Sequence, residues 1–275
     1  MEQSLVTVIT PTYMQGAFIK DCIESVKSQS HPFVEHLIFD AGSTDETDAI
    51  VRSYQGKYNL HYLSEPDRGQ AHAINKGLDR AKGQIVCWLN SDDLFYDEHV
   101  LSKIVKLFEQ RTEVDVITGG GIFVSQNGKW LEDIPVEPQA ANLSFVKRTC
   151  LNLQPSTFWR PSELRLDERL HYAFDWKFWL DMLLAQKQFL TIPDLLSQYR
   201  VHQGSKTHQD LAARKKEVLA VTRYAKNGFF QTAWNAIVYR LFLLAERLGT
   251  PALKRGVNFA NRVVYKLSGG YIYSS

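Results

Sequence analysis

The sequence predicts an α/β fold: a mainly parallel sheet flanked by helices, with a helical C-terminal extension. Three observations predict it. Short β-rich runs alternate with amphipathic helical stretches through the first half, the signature of stacked βαβ units. Each apolar run gives way to a polar or turn-forming segment. After about residue 210 the pattern turns helical and basic to the end.

The elements follow in order. Strands are expected at 5–10, 36–40, 60–64, 85–89 and 114–118, with helices between them at 17–29, 45–54, 70–81 and 98–109. The third helix is the clearest, because Ala71, Ile74, Leu78 and Ala81 share one face and Gly83 follows as a stop signal. The second opens on Ser43-x-x-Glu46, a capping-box pattern. Residues 119–170 read as loopier, with Gly119–Gly121, several prolines and weak periodicity. A helix resumes over 175–186, then a strand-like run at 198–201. The organisation expected is a catalytic domain over 1–210 and a basic amphipathic extension over 211–275.

Composition narrows the classes. At 275 residues, 44% hydrophobic and 23% charged, the chain is ordinary globular protein, which excludes disordered and fibrous classes. Cys22, Cys87 and Cys150 are odd in number and far apart, so reduced thiols are expected rather than a disulfide frame or zinc site. No signal peptide is read at the N-terminus, and no apolar stretch reaches the roughly 20 residues of a membrane span. The expected location is cytoplasmic. The net charge of +2 hides a division: residues 214–275 hold eleven Lys/Arg against Glu217 and Glu246, leaving 21 basic against 28 acidic residues before them. An acidic body does not suit a nucleic-acid enzyme, and no nucleic-acid partner is expected.

In open parallel sheets, ligands bind beyond the carboxyl ends of the strands. The segments there are Pro11-Thr12-Tyr13, Asp40-Ala41-Gly42-Ser43, Glu65-Pro66-Asp67-Arg68-Gly69 and Asn90-Ser91-Asp92-Asp93. Acids recurring at one edge suggest a site that holds a cation and, through it, an anion. Asp92 and Asp93 follow an apolar strand directly, and paired carboxylates there suit Mg²⁺ or Mn²⁺. Taken alone, Asp-Asp is equally a helix-capping turn.

Taken together, these stretches resemble the inverting family-two nucleotide-sugar glycosyltransferases with the GT-A fold. The matching residues are Val8-Ile9-Thr10-Pro11-Thr12-Tyr13, Phe39-Asp40-Ala41-Gly42-Ser43-Thr44-Asp45, Glu65-Pro66-Asp67-Arg68-Gly69-Gln70, Asn75-Lys76-Gly77 and Leu89-Asn90-Ser91-Asp92-Asp93. They continue through Gln154-Pro155-Ser156-Thr157-Phe158, Phe174-Asp175-Trp176-Lys177-Phe178-Trp179-Leu180 and Tyr199-Arg200-Val201-His202. The resemblance implies that Pro11, Thr12 and Tyr13 wall the nucleobase pocket, with Asp40 beside the base or ribose. Asp67, Arg68, Gly69 and Gln70 would lie along the nucleotide and its diphosphate. Asn90 and Asp92 would contact the nucleotide sugar. Asp92 and Asp93 would hold Mn²⁺ or Mg²⁺, His202 would touch the diphosphate or complete the metal shell, and Asp175 would be the base. Two positions depart from many relatives: Ala41 replaces a second acid after the second strand, and Asn90 the first acid of the metal turn.

The implied chemistry needs these parts. Negative charge builds on the departing diphosphate, and a divalent ion serves there as a Lewis acid. On the other side an acceptor hydroxyl loses its proton to one carboxylate, worth roughly 10²–10⁴-fold. Asp175 stands among Tyr172, Phe174, Trp176 and Trp179, where desolvation favours a base; it could equally N-cap its helix. Glu168 and Asp167 are the next candidates. Lys76 reads as either structural or phosphate-binding. Phe158, Trp159, Tyr172 and Phe174 suit either an acceptor sugar or the core.

At the end of the chain, Leu253, Val257, Ala260, Val264 and Leu267 fall on one side of a helical wheel, opposite Arg255, Arg262 and Lys266. Such a helix can lie on an anionic membrane or pack on the domain with its basic face solvated; the basic excess over 214–275 favours membrane contact. The expected function is inverting, metal-dependent transfer from a nucleotide-diphosphate sugar, by resemblance a UDP-sugar, to a glycan or lipid-linked acceptor in bacterial surface-polysaccharide assembly. A catalytically silent sugar-nucleotide-binding partner of the same fold is the alternative. A nucleotidyltransferase would want a Gly-rich, basic phosphate loop, which 11–16 is not.

Overall fold

β1 (Val6–Thr12) is buried along its whole length and seeds the sheet. A computed structural model describes residues 4–204 and 210–226, with scattered positions between 233 and 244. β2 (Val34–Asp40) and β3 (Leu60–Ser64) pair in parallel on one side of β1, and β4 (Ile85–Trp88) on the other. Beyond β4 come β8 (Thr157–Trp159), β6 (Val116–Ser125), β9 (Phe189–Val201) and the two-residue β5 (Leu94–Phe95). β7 (Trp130–Ile134) pairs with the other edge of β6's C-terminal half. Among the described residues, β1, β2, β3, β4, β6 and β9 run one way, and β5, β7 and β8 run against them. The mainly parallel sheet expected from the alternating pattern is present.

β1 and β2 are buried residue by residue because helices cover both faces. α1 (Ile19–Lys27) buries Ile19, Cys22, Ile23 and Val26, an i, i+3, i+4, i+7 stripe. α2 (Thr47–Tyr54) buries Thr47, Val51 and Tyr54. α3 (Gln70–Arg80) buries Ala71 and Ile74 as the pattern predicts, with Leu78 and Ala81 packed against the same core. α4 (Val100–Gln110) contributes Leu101, Ile104, Val105 and Phe108. α5 (Leu143–Val146) is one turn, and α6 (Phe174–Leu184) carries the aromatic run.

Three local expectations are corrected. The capping box does not form: α2 starts at Thr47, and Ser43 Oγ is instead bonded to Asp40 Oδ1 at 2.5 Å and to the Met14 N–H. Asp45 caps that turn, its Oδ1 accepting the Thr47 N–H. Gly83 is not a left-handed stop. A Cβ there would lie 2.6 Å from the Thr7 nitrogen, so it is a glycine because β1 passes too close for any side chain. Finally, Gly119–Gly121 belong to β6 rather than a loop; Cβ atoms on Gly120 and Gly121 would meet the carbonyls of Ile134 and Ser197 at 2.6 and 2.7 Å. Local glycine content signalled a loop, whereas crowding from β7 and β9 on either side demands it in a strand.

The core is aromatic where β4, β8 and α6 meet. Trp88 stacks on Trp179 at 5.4 Å and 9°, with Trp159 edge-on to both and Phe178 edge-on to Trp179. Phe158, Trp159 and Phe174 are therefore core residues; of the four aromatics considered for an acceptor, Tyr172 alone is half-exposed.

α7 (Leu211–Tyr224) lies within the stretch expected as an extension. Its Val221, with Ala225 just beyond, shares a core with Trp176 and Leu180 of α6. Tyr224 donates its hydroxyl to Asp181 Oδ1 at 2.7 Å, and Lys177 sits over the Tyr224 ring. The start of the basic stretch is thus packed on the body. The amphipathic pattern over 253–267 lies outside the described residues. No helix among the described residues is long and apolar enough to cross a membrane, and the three cysteines are unpaired.

Candidate functional site

Parallel register brings the expected segments to one edge. Thr12 is opposite Asp40, and Asp40 opposite Ser64, at the carboxyl ends of β1, β2 and β3. β4 leaves the ladder after Trp88, opposite Ile9. Residues after these strands therefore converge at one rim.

The first segment divides by exposure. Pro11 and Thr12 are buried, whereas Tyr13 is 59% exposed and Met14 turns the chain at a φ of 55°. Thr12 Oγ1 is buried without a hydrogen-bond partner among the described residues. Asp40 is 1% exposed and fully engaged. Its Oδ2 accepts from Tyr62 at 3.1 Å and Ser64 at 2.9 Å, while Ser43 donates its backbone N–H and its hydroxyl. The structure gives Asp40 the job of tying the 40–43 turn to β3. Its carboxylate faces these protein donors rather than standing ready beside a base.

The 67–70 segment forms a tight turn. Asp67 Oδ1 accepts the Gly69 N–H at 2.7 Å, and Gly69 takes φ 119°, open to glycine at little cost. Arg68 reaches across 100 residues to Glu168, whose other oxygen accepts from Asn75 at 3.0 Å. Asn75, then Arg68, hold Glu168 below the usual carboxylate range, and Arg169 does the same for Asp167. Both reserve candidates for the base are poor proton acceptors for that reason. Lys76 pairs with Glu65 at 3.0 Å.

Asn90 sits in an amide network. Its Oδ1 accepts from Gln70 Nε2 at 2.7 Å; its Nδ2 donates to Gln154 Oε1 at 2.9 Å and Asp93 Oδ2 at 3.2 Å. Gln154 in turn donates to the Trp88 carbonyl. Asn90 is thus a connector, and Gln154, seen in the sequence only as part of a motif, is the residue that reasoning from acids missed.

Asp92, Asp93 and His202 do not act alike. His202 Nε2 lies 3.0 Å from Asp92 Oδ2, and its ring packs on Phe18 at 4.5 Å. Asp93 is 2% exposed, with Oδ1 accepting the Arg200 N–H and Oδ2 the Asn90 amide. Burial, then the Asp92 charge, push its pKa well up. Arg200 also donates Nε to the Asp92 carbonyl and Nη2 to Asp21 Oδ2. No cluster of three metal-ligating side chains occurs among the described residues. Of the expected trio, Asp92 and His202 face each other, while Asp93 is turned inward to Arg200 and Asn90. One carboxylate and one imidazole still fit a divalent ion that takes its remaining ligands from phosphates and water.

Asp175 stands in the first turn of α6, half-buried between Phe174 and Trp176, with Oδ1 accepting the Trp176 N–H at 2.7 Å. It is not the N-cap, which is Ala173. Its charge also helps to raise the pKa of Cys150, after burial, so the two are neighbours.

A family description, glycosyl transferase family 2, matches residues 7–162, more than half of the chain. The chain belongs to this family. The glycosyltransferase is 28% identical over 249 residues to a Bacillus subtilis protein named putative teichuronic acid biosynthesis glycosyltransferase TuaG, covering 89% of this chain and 98% of that one. It is 28% identical over 215 residues to an uncharacterised glycosyltransferase of Rickettsia bellii, covering 74% of this chain but 31% of the longer relative. Among solved structures it resembles S. aureus TarS 1–349 in complex with UDP-GlcNAc, with TM-score 0.66 and 18% identity over 92% of this chain and 78% of that one. It also resembles the Pyrobaculum calidifontis mannosyltransferase PcManGT in complex with GDP-Man and Mn²⁺, with TM-score 0.65 and 18% identity over 96% and 81% of the two chains. The GT-A-like α/β fold of this enzyme agrees with both.

Proposed function

We propose that this glycosyltransferase moves one sugar from a UDP-sugar to an acceptor hydroxyl, with inversion, at the rim formed by β1–β4 and the start of α6. Asp92 and His202 hold Mn²⁺ or Mg²⁺ there, and Asp175 accepts the proton of the attacking hydroxyl. The observation that carries the reading is the Asp92–His202 pair, 3.0 Å apart on two distant segments. Two groups that a proton or a cation must bridge are placed together beside the turn that the family uses.

Pro11, Thr12 and Tyr13 line the base end, where Thr12 Oγ1 still lacks a partner. Asp67, Arg68, Gly69 and Gln70 form the turn that faces the diphosphate. Gln70 also fixes Asn90, keeping that turn and the metal turn in one register. A bound divalent ion would offset the charge that grows on the diphosphate as the sugar departs. Asp175 holds a position whose aromatic neighbours limit water, which favours proton transfer from an alcohol. The acceptor is a glycan or lipid-linked intermediate of a bacterial surface polymer; the near full-length likeness to TuaG supports this. Cytoplasmic action at the membrane's inner face, through 214–275, completes the reading. It is supported by the basic excess there.

The test is a panel of UDP-glucose, UDP-galactose, UDP-N-acetylglucosamine, UDP-glucuronate and GDP-mannose, assayed for binding and slow hydrolysis with Mn²⁺, Mg²⁺ and chelator. One UDP-sugar should bind and be hydrolysed only with metal. Equal hydrolysis in chelator, or preference for GDP-mannose, would overturn the metal or the UDP assignment respectively.

A further inference from the structure

Glu217 lies on α7, beyond the residues that the family description matches. Its Oε1 accepts the His171 N–H at 2.8 Å, and its Oε2 accepts those of Tyr172 at 2.7 Å and Ala173 at 3.0 Å. These are the last three amides before α6, whose second residue is Asp175. The Ala173 amide, at the N-cap of α6, has no partner within the helix, and those of His171 and Tyr172 lead into it. Glu217 supplies their acceptor from another helix, 44 to 46 residues away in sequence.

The anchor under Glu217 is firm. Val221 and Ala225 are buried against Trp176 and Leu180, and Tyr224 bonds Asp181, so α7 grips α6 on two further levels. The opposite flank of the same loop faces the donor turn. Glu168 bonds Arg68, and a Cβ on Gly69 would lie 3.6 Å from His171 Nδ1. The 168–173 loop is therefore clamped between the donor turn and α7.

We infer that Glu217 is a positioning residue for transfer: through the amides of 171–173 it fixes the start of α6 and, with it, the direction of the Asp175 carboxylate. The inference rests on Asp175 being the base. A carboxylate bound by three N–H groups is a strong and directional tether, and misplacing a reacting group by about 1 Å can cost on the order of 10²-fold in rate.

The experiment compares Glu217→Gln, Glu217→Ala and Asp175→Asn, and the double variant Glu217→Gln/Asp175→Asn, in the full chain. UDP with Mn²⁺ probes the donor site, and the nucleotide sugar selected by the panel gives kcat and KM. Gln can still accept through one oxygen but sets an NH₂ against an amide, so kcat should fall about tenfold, and roughly 10²-fold in Glu217→Ala. UDP affinity and donor KM should stay within twofold, and Glu217→Gln should add nothing to the residual rate of Asp175→Asn. A purely structural Glu217 would instead lower Tm with kcat unchanged, or add its loss to that of Asp175→Asn; either result overturns the inference. If Glu217→Ala does not fold, Glu217→Gln decides alone. Wild-type turnover in Asp175→Asn is a separate failure, that of the base assignment, and it appears in a variant with Glu217 intact.

Discussion

His202 Nε2 and Asp92 Oδ2 meet at 3.0 Å, joining the end of β9 to the turn after β4 across 110 positions of sequence. Arg200, two residues earlier, bonds the carbonyl of Asp92 and donates its backbone N–H to Asp93, so strand and turn are held as one unit. The pair is a built feature of the fold.

Its function is open to direct test. Asp92→Asn should weaken Mn²⁺-dependent UDP binding at least tenfold while changing Tm little, and His202→Ala should weaken it as much, with a lower Tm because its ring is packed on Phe18. Calorimetry with and without chelator measures this. Undiminished binding of UDP by chelated wild-type protein would sink the assignment.

Asp93 should behave differently from Asp92. Its two oxygens accept from Arg200 and Asn90 in a buried setting. Asp93→Asn sets an NH₂ against one of these donors and should cost about 1–3 kcal/mol of stability. Urea unfolding would show the loss in Asp93→Asn and its near absence in Asp92→Asn; equal stability of the two would refute the division of roles.

Asn90 marks a position where many relatives carry an acid, yet restoring the acid should harm this enzyme. In Asn90→Asp an oxygen replaces Nδ2, facing Gln154 Oε1 and Asp93 Oδ2, now 2.9 and 3.2 Å away. Two donor–acceptor contacts become repulsive in a half-buried place, a cost of about 3 kcal/mol. Thermal unfolding should fall by roughly 6–12 °C, at 2–4 °C per kcal/mol. A variant as stable as wild type that binds Mn²⁺ and UDP more tightly would remove the network from the explanation.

Acid stability should reflect His36. Its ring is fully buried between Thr10 Oγ1 at 2.9 Å and Tyr58 Oη at 2.7 Å, and burial lowers its pKa from 6.5 to about 3. The unfolded chain therefore binds a proton below pH 6.5 that the folded one refuses until about pH 3, so stability falls as pH drops through this window. The slope approaches about 1.4 kcal/mol per pH unit, or about 2 kcal/mol by pH 5. Unfolding free energies of wild type and His36→Gln at pH 7, 6 and 5 should converge as pH falls. Parallel curves would refute it.

Much of this was legible in the sequence because it is local. The face of α3, the apolar run of β1 and the acids after β4 are each set by residues within a few turns of one another, and periodicity reports them directly. The rim of candidate ligands was legible for a related reason: parallel strands put their carboxyl ends on one side, so residues that follow strands must gather.

Elsewhere a side chain's role depended on what arrived from far away. Nothing near Gly119–Gly121 says that β7 and β9 crowd them, and nothing near Asp40 says that Tyr62 and Ser64 will claim its carboxylate. The sequence alone determined the alternation of strands and helices, the edge at which the candidate residues gather and the residue types found there, because each is written in spacing and polarity. Only the tertiary structure decided which acids are exposed and which are consumed. Asp92 meets His202, Asp93 and Asp40 turn to protein donors, and Glu217 reaches the start of α6. Each outcome depends on at least one hydrogen-bond partner 24 or more residues away, and no local pattern encodes the distance between them.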